Sequence, residues 1–341
     1  MKTFFHDDQR LHHPQIYFSR GKMRTPQEIP TRIDCLLEGV KRLKFELVSP
    51  PDAGMAAINA VHTQPYLRFF ESAHRRWAAL DDWGDEVISN IFVRSPNALK
   101  GILAEAAFYL ADGSAPIGAQ TWQASYWSAQ SAIAGADALM DGDREAYVLA
   151  RPPGHHATRD TAGGFCFLNN AAIAAQHLTQ CFPRVVVLDT DMHHGQGVQN
   201  IFYDRSDVLY VSIHGDTTNF YPGVSGFEDE RGEGEGLGYN LNLPMPHSSP
   251  ESTFFERLDE ALKAIELFDA DVVVLALGFD IYEKDPQSQV AVTTEGLGRL
   301  GEQVAALDLP TLVVQEGGYY LEGLADNLVS FFTGFERGRG N

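Results

Sequence analysis

The second half of the chain alternates short, uninterrupted apolar runs with helical patterns, and nearly every unusual polar cluster begins where one of those runs stops. The runs cover residues 146–150, 185–188, 208–213, 239–243, 272–277 and 311–314. Continuous apolar runs of this length suit strands buried on both faces. Helical patterns at 170–179, 252–268 and 295–306 separate several of them. This alternation predicts a single-domain α/β fold, a predominantly parallel β-sheet flanked by helices. In such sheets ligands bind beyond the carboxyl ends of the strands. Five clusters are therefore expected on one rim: Arg151 to His156, Asp189 to His194, His214 to Asp216, Gly278 to Asp280, and Gln315 to Tyr319.

No repeat or Pro/Ser linker divides the chain, so residues 1–341 read as one domain. Residues 81–116 carry mixed signals and read as an insertion near the surface; the Gly-rich acidic stretch 227–238 reads as an exposed loop. No apolar run approaches the ~20 residues of a membrane-spanning helix. The N-terminus turns acidic at once, without the apolar stretch of a signal peptide. Three scattered cysteines, Cys35, Cys166 and Cys181, form neither a disulfide framework nor a zinc pattern, which fits a reducing cytoplasm. Acidic residues outnumber basic ones 46 to 26. Such a surface repels nucleic acid and anionic membranes and attracts small cations, although net charge also serves solubility alone.

The cluster Asp189-Thr190-Asp191-Met192-His193-His194 offers metal ligands. Alternation at a strand end sends Asp189, Asp191 and His193 to one side, and Asp280 arrives from another strand end. Three mixed nitrogen and oxygen ligands plus water describe a catalytic zinc site; ordinary turn chemistry is the plainer reading of one such cluster alone. His155 and His156 follow a rigid Pro-Pro-Gly and suit acid–base work. Each needs an orienting partner, and Asp189 and Gln196 are the candidates. Tyr319, after two glycines, could donate to a developing oxyanion, although such a tyrosine more often only packs. The aromatic loops around Gly164-Phe165 and Phe220-Tyr221 could wall a slot for an alkyl chain, or simply pack in the core. Cys166 has no evident base and reads as inert.

The motifs R-P-P-G-H-H, G-G-F-C-F-x-N-N, D-x-D-x-H-H-G-x-G and E-G-G-Y occur in that order, clearest between Ala146 and Tyr320. Together they resemble the histone-deacetylase-like amidohydrolases of the arginase–deacetylase superfamily. Residues 61–67 (VHTQPYL) resemble an N-terminal motif of the same family. The pieces Asn169-Asn170-Ala171-Ala172, Gly195-Gln196-Gly197, Ile201-Phe202-Tyr203 and Asp285-Pro286 are most similar to the acetylpolyamine amidohydrolase branch.

The resemblance implies one catalytic Zn²⁺ held by Asp191, His193 and Asp280. It implies His156 as general base and acid, His155 as its electrostatic companion, and Tyr319 as the hydroxyl that polarises the acetyl carbonyl. Asp189 and Gln196 orient the histidines; Phe165, Tyr221 and Gly164 wall the tunnel. It also implies structural K⁺, one site at Asp189, Asp191, His193, Ser212 and Ile213 and another near the carbonyls of Phe202, Arg205, Val208 and Tyr239. The substrate expected is a small cationic acetylated amine, with Glu105 and Asp112 as counterparts of the carboxylates that meet its distal ammonium. The 81–116 insertion is expected to narrow the entrance and form a homodimer contact. Many protein deacetylases carry aspartate where this chain has Gln196, a departure that favours the polyamine branch.

Three rivals compete with this reading. A dimanganese ureohydrolase needs a second metal and bridging aspartates, and His194 stands where one would be expected. A protein acetyl-lysine deacetylase would run the same chemistry on a bulkier substrate. A non-catalytic binding protein would have no need of the full set of catalytic groups. Fe²⁺ or Co²⁺ could occupy the same ligands as zinc.

Overall fold

Runs of Val, Ile and Leu leave a strand no polar face, so it must be covered on both sides. In the computed structural model, which describes residues 1–93 and 98–340, all six runs are strands of one sheet. The strands are β1 (Lys2–Phe4), β2 (Tyr17–Ser19), β3 (Lys22–Arg24), β4 (Glu46–Val48), β5 (Glu145–Val148), β6 (Val185–Asp189), β7 (Val208–Gly215), β8 (Asn240–Met245), β9 (Ser249–Pro250), β10 (Val272–Leu277), β11 (Val290–Ala291) and β12 (Thr311–Gln315). Eight of them form a parallel sheet in the order β4-β1-β5-β12-β10-β6-β7-β8. β2 and β3 form a separate antiparallel hairpin, and β9 pairs with β11.

Side chains alternate across the sheet into two cores. Val185, Val187, Val272, Val274 and Ala276 enter one, packed against the helices Thr121–Met140 and Asn170–Leu178. Val186, Leu188, Val273, Leu275 and Leu277 enter the other, beneath Thr31–Arg42, Glu251–Phe268, Thr294–Ala305 and Leu321–Gly338. The parallel arrangement sends the C-terminal ends of β5, β6, β10 and β12 to one edge, which sets up the site.

The first third contributes two short sheet strands, β1 and β4, that no apolar run announces; three residues are too few to show a period. The 81–116 segment is largely irregular apart from the helix Ile102–Tyr109, and residues 94–97 of it lie outside the described residues. Most of 227–238 is exposed, as expected of a loop.

Residues 61–67 buttress the site from behind. The Tyr66 hydroxyl donates to the Phe167 carbonyl at 2.6 Å, and His62 Nε2 accepts the Asn169 N–H at 2.9 Å. Burial pulls the His62 imidazole down to about 4, whereas an unfolded histidine titrates near 6.5. The folded state therefore binds fewer protons. The stability that follows is full above about pH 6.5 and is lost as pH falls toward 4. Linkage puts this loss at about 2 kcal/mol between pH 7 and pH 5. The His62→Gln variant should show a correspondingly shallower pH dependence of unfolding free energy in denaturant titrations; equal slopes for variant and wild type would contradict a buried neutral His62.

Candidate active site

Beyond β6 the chain stays against β10, with the Thr190 N–H donating to the Ala276 carbonyl at 2.9 Å. This extension carries Asp191 and His193 to the sheet edge. Gly278 permits the close approach of the two chains, since a Cβ there would lie 2.6 Å from Asp191 Cα. Asp191 accepts the His193 N–H at 2.9 Å and the Gly317 N–H at 2.8 Å. Asp280 accepts the Met192 N–H at 2.9 Å, and its other oxygen lies 3.0 Å from His193 Nδ1. One potential ligand atom from each of Asp191, His193 and Asp280 lies within 4.8 Å of the others, and all three residues are buried. Burial, then the neighbouring Asp191 charge, pushes the Asp280 carboxyl upward. Two buried carboxylates this close call for a cation between them, and one imidazole with two carboxylates is a donor set that zinc accepts. The residues present therefore fit a single metal ion.

The Glu316 carboxylate fixes the histidine loop by accepting the Gly154 N–H at 2.7 Å and the His155 N–H at 3.1 Å. His155 Nδ1 lies 3.0 Å from Asp189, and His156 Nδ1 lies 2.7 Å from the Gln196 carbonyl oxygen. Both pairings match the expected partners. The two rings sit 3.9 Å apart but differ electrically. Burial opposes charge on His155, yet Asp189 and then Asp191 outweigh it and push the imidazole up to about 10. Burial, then the neighbouring His155 and His193, hold His156 well below its ordinary value. The surroundings thus favour charge on His155 and oppose it on His156. The Gln196 oxygen requires a proton on His156 Nδ1, which leaves Nε2 as the basic nitrogen.

His156, His193 and Tyr319 line one cavity of about 670 Å³. Burial lifts the Tyr319 phenol well above its ordinary value, so it remains a protonated donor. The tyrosine is clamped by Asp285, from the Asp285-Pro286 piece, and by Arg32, which no motif marks. Asp285 accepts its backbone N–H at 2.6 Å, and the Arg32 guanidinium stacks 4.9 Å from its ring centre. Arg32 also donates to the carbonyls of Gly318 and Glu316, at 2.7 and 2.6 Å. Glu28 bridges Arg32 and Arg151, at 3.0 and 2.8 Å, in a fully buried ionic cluster.

Phe165, Tyr221 and Gly164 all border the cavity. Gly164 has φ +54°, and a Cβ there would fall 2.7 Å from the Tyr221 hydroxyl and strike the His156 ring. Asp112 also lines the cavity, where it accepts the Tyr221 O–H at 2.7 Å and the Gly164 N–H at 3.2 Å. Glu105 departs from expectation. It lies away from the cavity lining, and Arg76 already satisfies it through two contacts of 2.6 Å. The His214 cluster also stays off the rim: His214 lies within β7, buried, and bonds to Ser212 and the Gly226 carbonyl. His194 turns away as well, to Ser225 and Gln199. Burial drives the Cys166 thiol well up, as suits an inert cysteine.

Of the residues expected around potassium, Asp189 and Ser212 are register partners in the β6–β7 pair, with Ile213 next along β7 and Asp191 and His193 following β6 in the chain. For the second group, the Phe202 carbonyl accepts the Arg205 N–H at 3.0 Å and the Tyr239 carbonyl accepts the Tyr210 N–H at 3.0 Å; Val208 opens β7. Among the described residues no helix is long and apolar enough to cross a membrane.

Comparison with known proteins agrees with this geometry. The histone deacetylase domain family matches residues 26–335. The acetylpolyamine amidohydrolase of Burkholderia pseudomallei is 63% identical over the full length of both chains. Acetylpolyamine amidohydrolase 1 of Pseudomonas aeruginosa is 43% identical over 98% of this chain and 99% of its own. The crystal structure of the acetylpolyamine aminohydrolase from B. pseudomallei superposes with a TM-score of 0.98 at 64% identity, covering 98% of each chain. The HDA15 HD domain, at 23% identity and a TM-score of 0.80 over 97% of this chain and 88% of its own, shares the fold. The chain belongs to the histone deacetylase family and is an amidohydrolase.

Proposed function

We propose that the protein hydrolyses the acetamide of small acetylated polyamines, such as acetylputrescine and acetylcadaverine, to free amine and acetate with one catalytic zinc ion. The observation that carries this reading is the convergence of three strand-end clusters, through His156, His193 and Tyr319, on one cavity, with Asp191 and Asp280 gathered around His193 where it opens onto that cavity. These three residues would hold the metal, which when bound supplies Lewis acidity toward the carbonyl and lowers the pKa of water to about 7. His156 Nε2 takes the proton from the attacking water. The Tyr319 hydroxyl donates to the oxyanion that develops on the acetyl carbonyl. His155, whose charged form the neighbouring Asp189 favours, stands beside that centre as the companion of His156. As the C–N bond breaks, the proton passes from the histidine pair to the leaving amine. His194, turned away from the cavity, supports one metal rather than two.

The polyamine preference draws on the names of the relatives, on the neutral Gln196 partner of His156, and on a surface of net charge −20 that attracts cations. Structural K⁺ beside Asp189 and Ser212 belongs to the same reading. So does a homodimer, supported by the exposed Trp83, Ile91, Phe92 and Leu103 within the 81–116 segment. The free cysteines Cys35, Cys166 and Cys181 support a cytoplasmic setting. Initial rates on N-acetylputrescine, N-acetylcadaverine and an acetyl-lysine peptide test the proposal. The acetylated diamines should turn over faster than the peptide; the reverse order would assign the enzyme to protein substrates.

A further inference from the structure

The charge around the cavity mouth runs opposite to that of the molecule as a whole. Besides His156 and His193, the charged residues lining the described cavity are Asp112, Arg20 and Arg24. Asp112 lies on the inner side: it bonds to Tyr221, whose ring sits 4.8 Å from the His156 ring. Arg20 and Arg24 lie further out, on the β2–β3 hairpin, where Arg20 is exposed and Arg24 half-buried. An aromatic wall joins the two ends. The Tyr319 ring meets Phe165 at 5.9 Å, and Phe165 meets Tyr17 of the hairpin at 5.2 Å. The hairpin is fastened beside Asp112 by the Phe18 N–H, which donates to the Gly113 carbonyl at 2.8 Å. Arg24 Nε donates to the Ser19 carbonyl at 3.3 Å. Neither arginine is paired with a carboxylate among the described ion pairs, in a chain of net charge −20. The Tyr17 phenol is raised by burial, with Arg24 and then Arg20 pulling it back, as their placement against the cavity wall requires.

We infer that Arg20 and Arg24 act as a charge filter at the mouth of the cavity, passing acetylated diamines and disfavouring acetylated amines that carry a second ammonium. The inference rests on the polyamine reading and sharpens it. An acetylated diamine presents one ammonium, and the Asp112 carboxylate lies on the inner wall to meet it. An acetylated triamine is longer and must place its second ammonium outward, toward two unpaired guanidiniums. Each exposed like-charge contact of this kind is a modest effect, and two act together. Salt should weaken both, since the Debye length shrinks from ~10 Å at 0.1 M to ~3 Å at 1 M.

The test is the ratio of kcat/KM for acetylspermidine to that for acetylcadaverine, measured for the wild type, for Arg24→Gln and for Arg20→Gln/Arg24→Gln, at low and high salt. Arg24→Gln leaves the hairpin turn untouched, and thermal melting of both variants checks that the hairpin folds. The wild-type ratio should lie well below one and rise with salt. It should rise on the order of fivefold in the double variant, part of the way in Arg24→Gln, and become nearly independent of salt. A ratio unchanged by the substitutions, with acetylcadaverine still hydrolysed by the wild type, overturns the charge filter alone. Wild-type inactivity on both amines overturns the polyamine reading and this inference with it.

Discussion

Replacing Tyr319 by phenylalanine is expected to lower kcat by about 10²–10³ while metal content and melting temperature stay at wild-type values. The magnitude is that of losing one oxyanion donor. The separation of chemistry from structure follows from how the residue is held. Its backbone N–H is bound by Asp285 at 2.6 Å, its ring is edged by Phe165 at 5.9 Å, and Arg32 stacks on its face at 4.9 Å. Phenylalanine keeps all three contacts. Nor is Tyr319 one of the three metal-gathering residues. Steady-state kinetics on acetylcadaverine, with elemental analysis of the same preparation, gives the answer. A variant as fast as wild type would remove Tyr319 from the reaction, and a variant that loses metal would make its role structural.

The second large effect is expected from Asp280→Asn. Asparagine preserves volume and can still accept the Met192 N–H, which Asp280 receives at 2.9 Å. What it lacks is the negative charge. Metal affinity should fall by more than about 10²-fold, since even changes behind the ligands cost 10–100-fold, and turnover should fall with it. The same substitution has an opposite consequence in metal-free protein. Asp191 and Asp280 are buried side by side with one imidazole, His193, between them, and crowding two buried like charges onto one partner is destabilising. Metal-free Asp280→Asn should therefore melt higher than metal-free wild type, whereas metal-loaded wild type melts highest of all. Calorimetry with and without chelator reads both signs. A variant that keeps one tightly held metal per chain would take Asp280 out of the ligand set.

The sheet was legible because its central strands lie in continuous apolar runs rich in Val and Leu, a pattern that double-sided burial rewards. The edge strand β4 and its neighbour β1 were not, because three residues show no period and their partners lie far along the chain. The hairpin at the cavity mouth had a local signal that went unread: Arg20-Gly21 occupies a two-residue turn with φ of 52° and 73°, the conformation such hairpins need. Asp189 and Gln196 could be named from sequence as candidate partners of His155 and His156, and the family resemblance assigned Gln196 to His156. Glu316 gripping Gly154 and His155 across 162 and 161 residues could not, since nothing local records so distant a partner. Nor could sequence distinguish Asp112 from Glu105. Both are acids in the 81–116 segment, and only the fold shows that Arg76 claims Glu105 while Asp112 reaches the cavity wall.

The most direct test of the whole account is a metal titration of activity. Purified protein is stripped with chelator, assayed on N-acetylcadaverine, and then reloaded with Zn²⁺ while bound metal and rate are recorded together. The account predicts no turnover without metal and full recovery at one equivalent per chain, with Asp280→Asn failing to recover over the same range. Undiminished hydrolysis by metal-free protein, or recovery only at two equivalents, would contradict it.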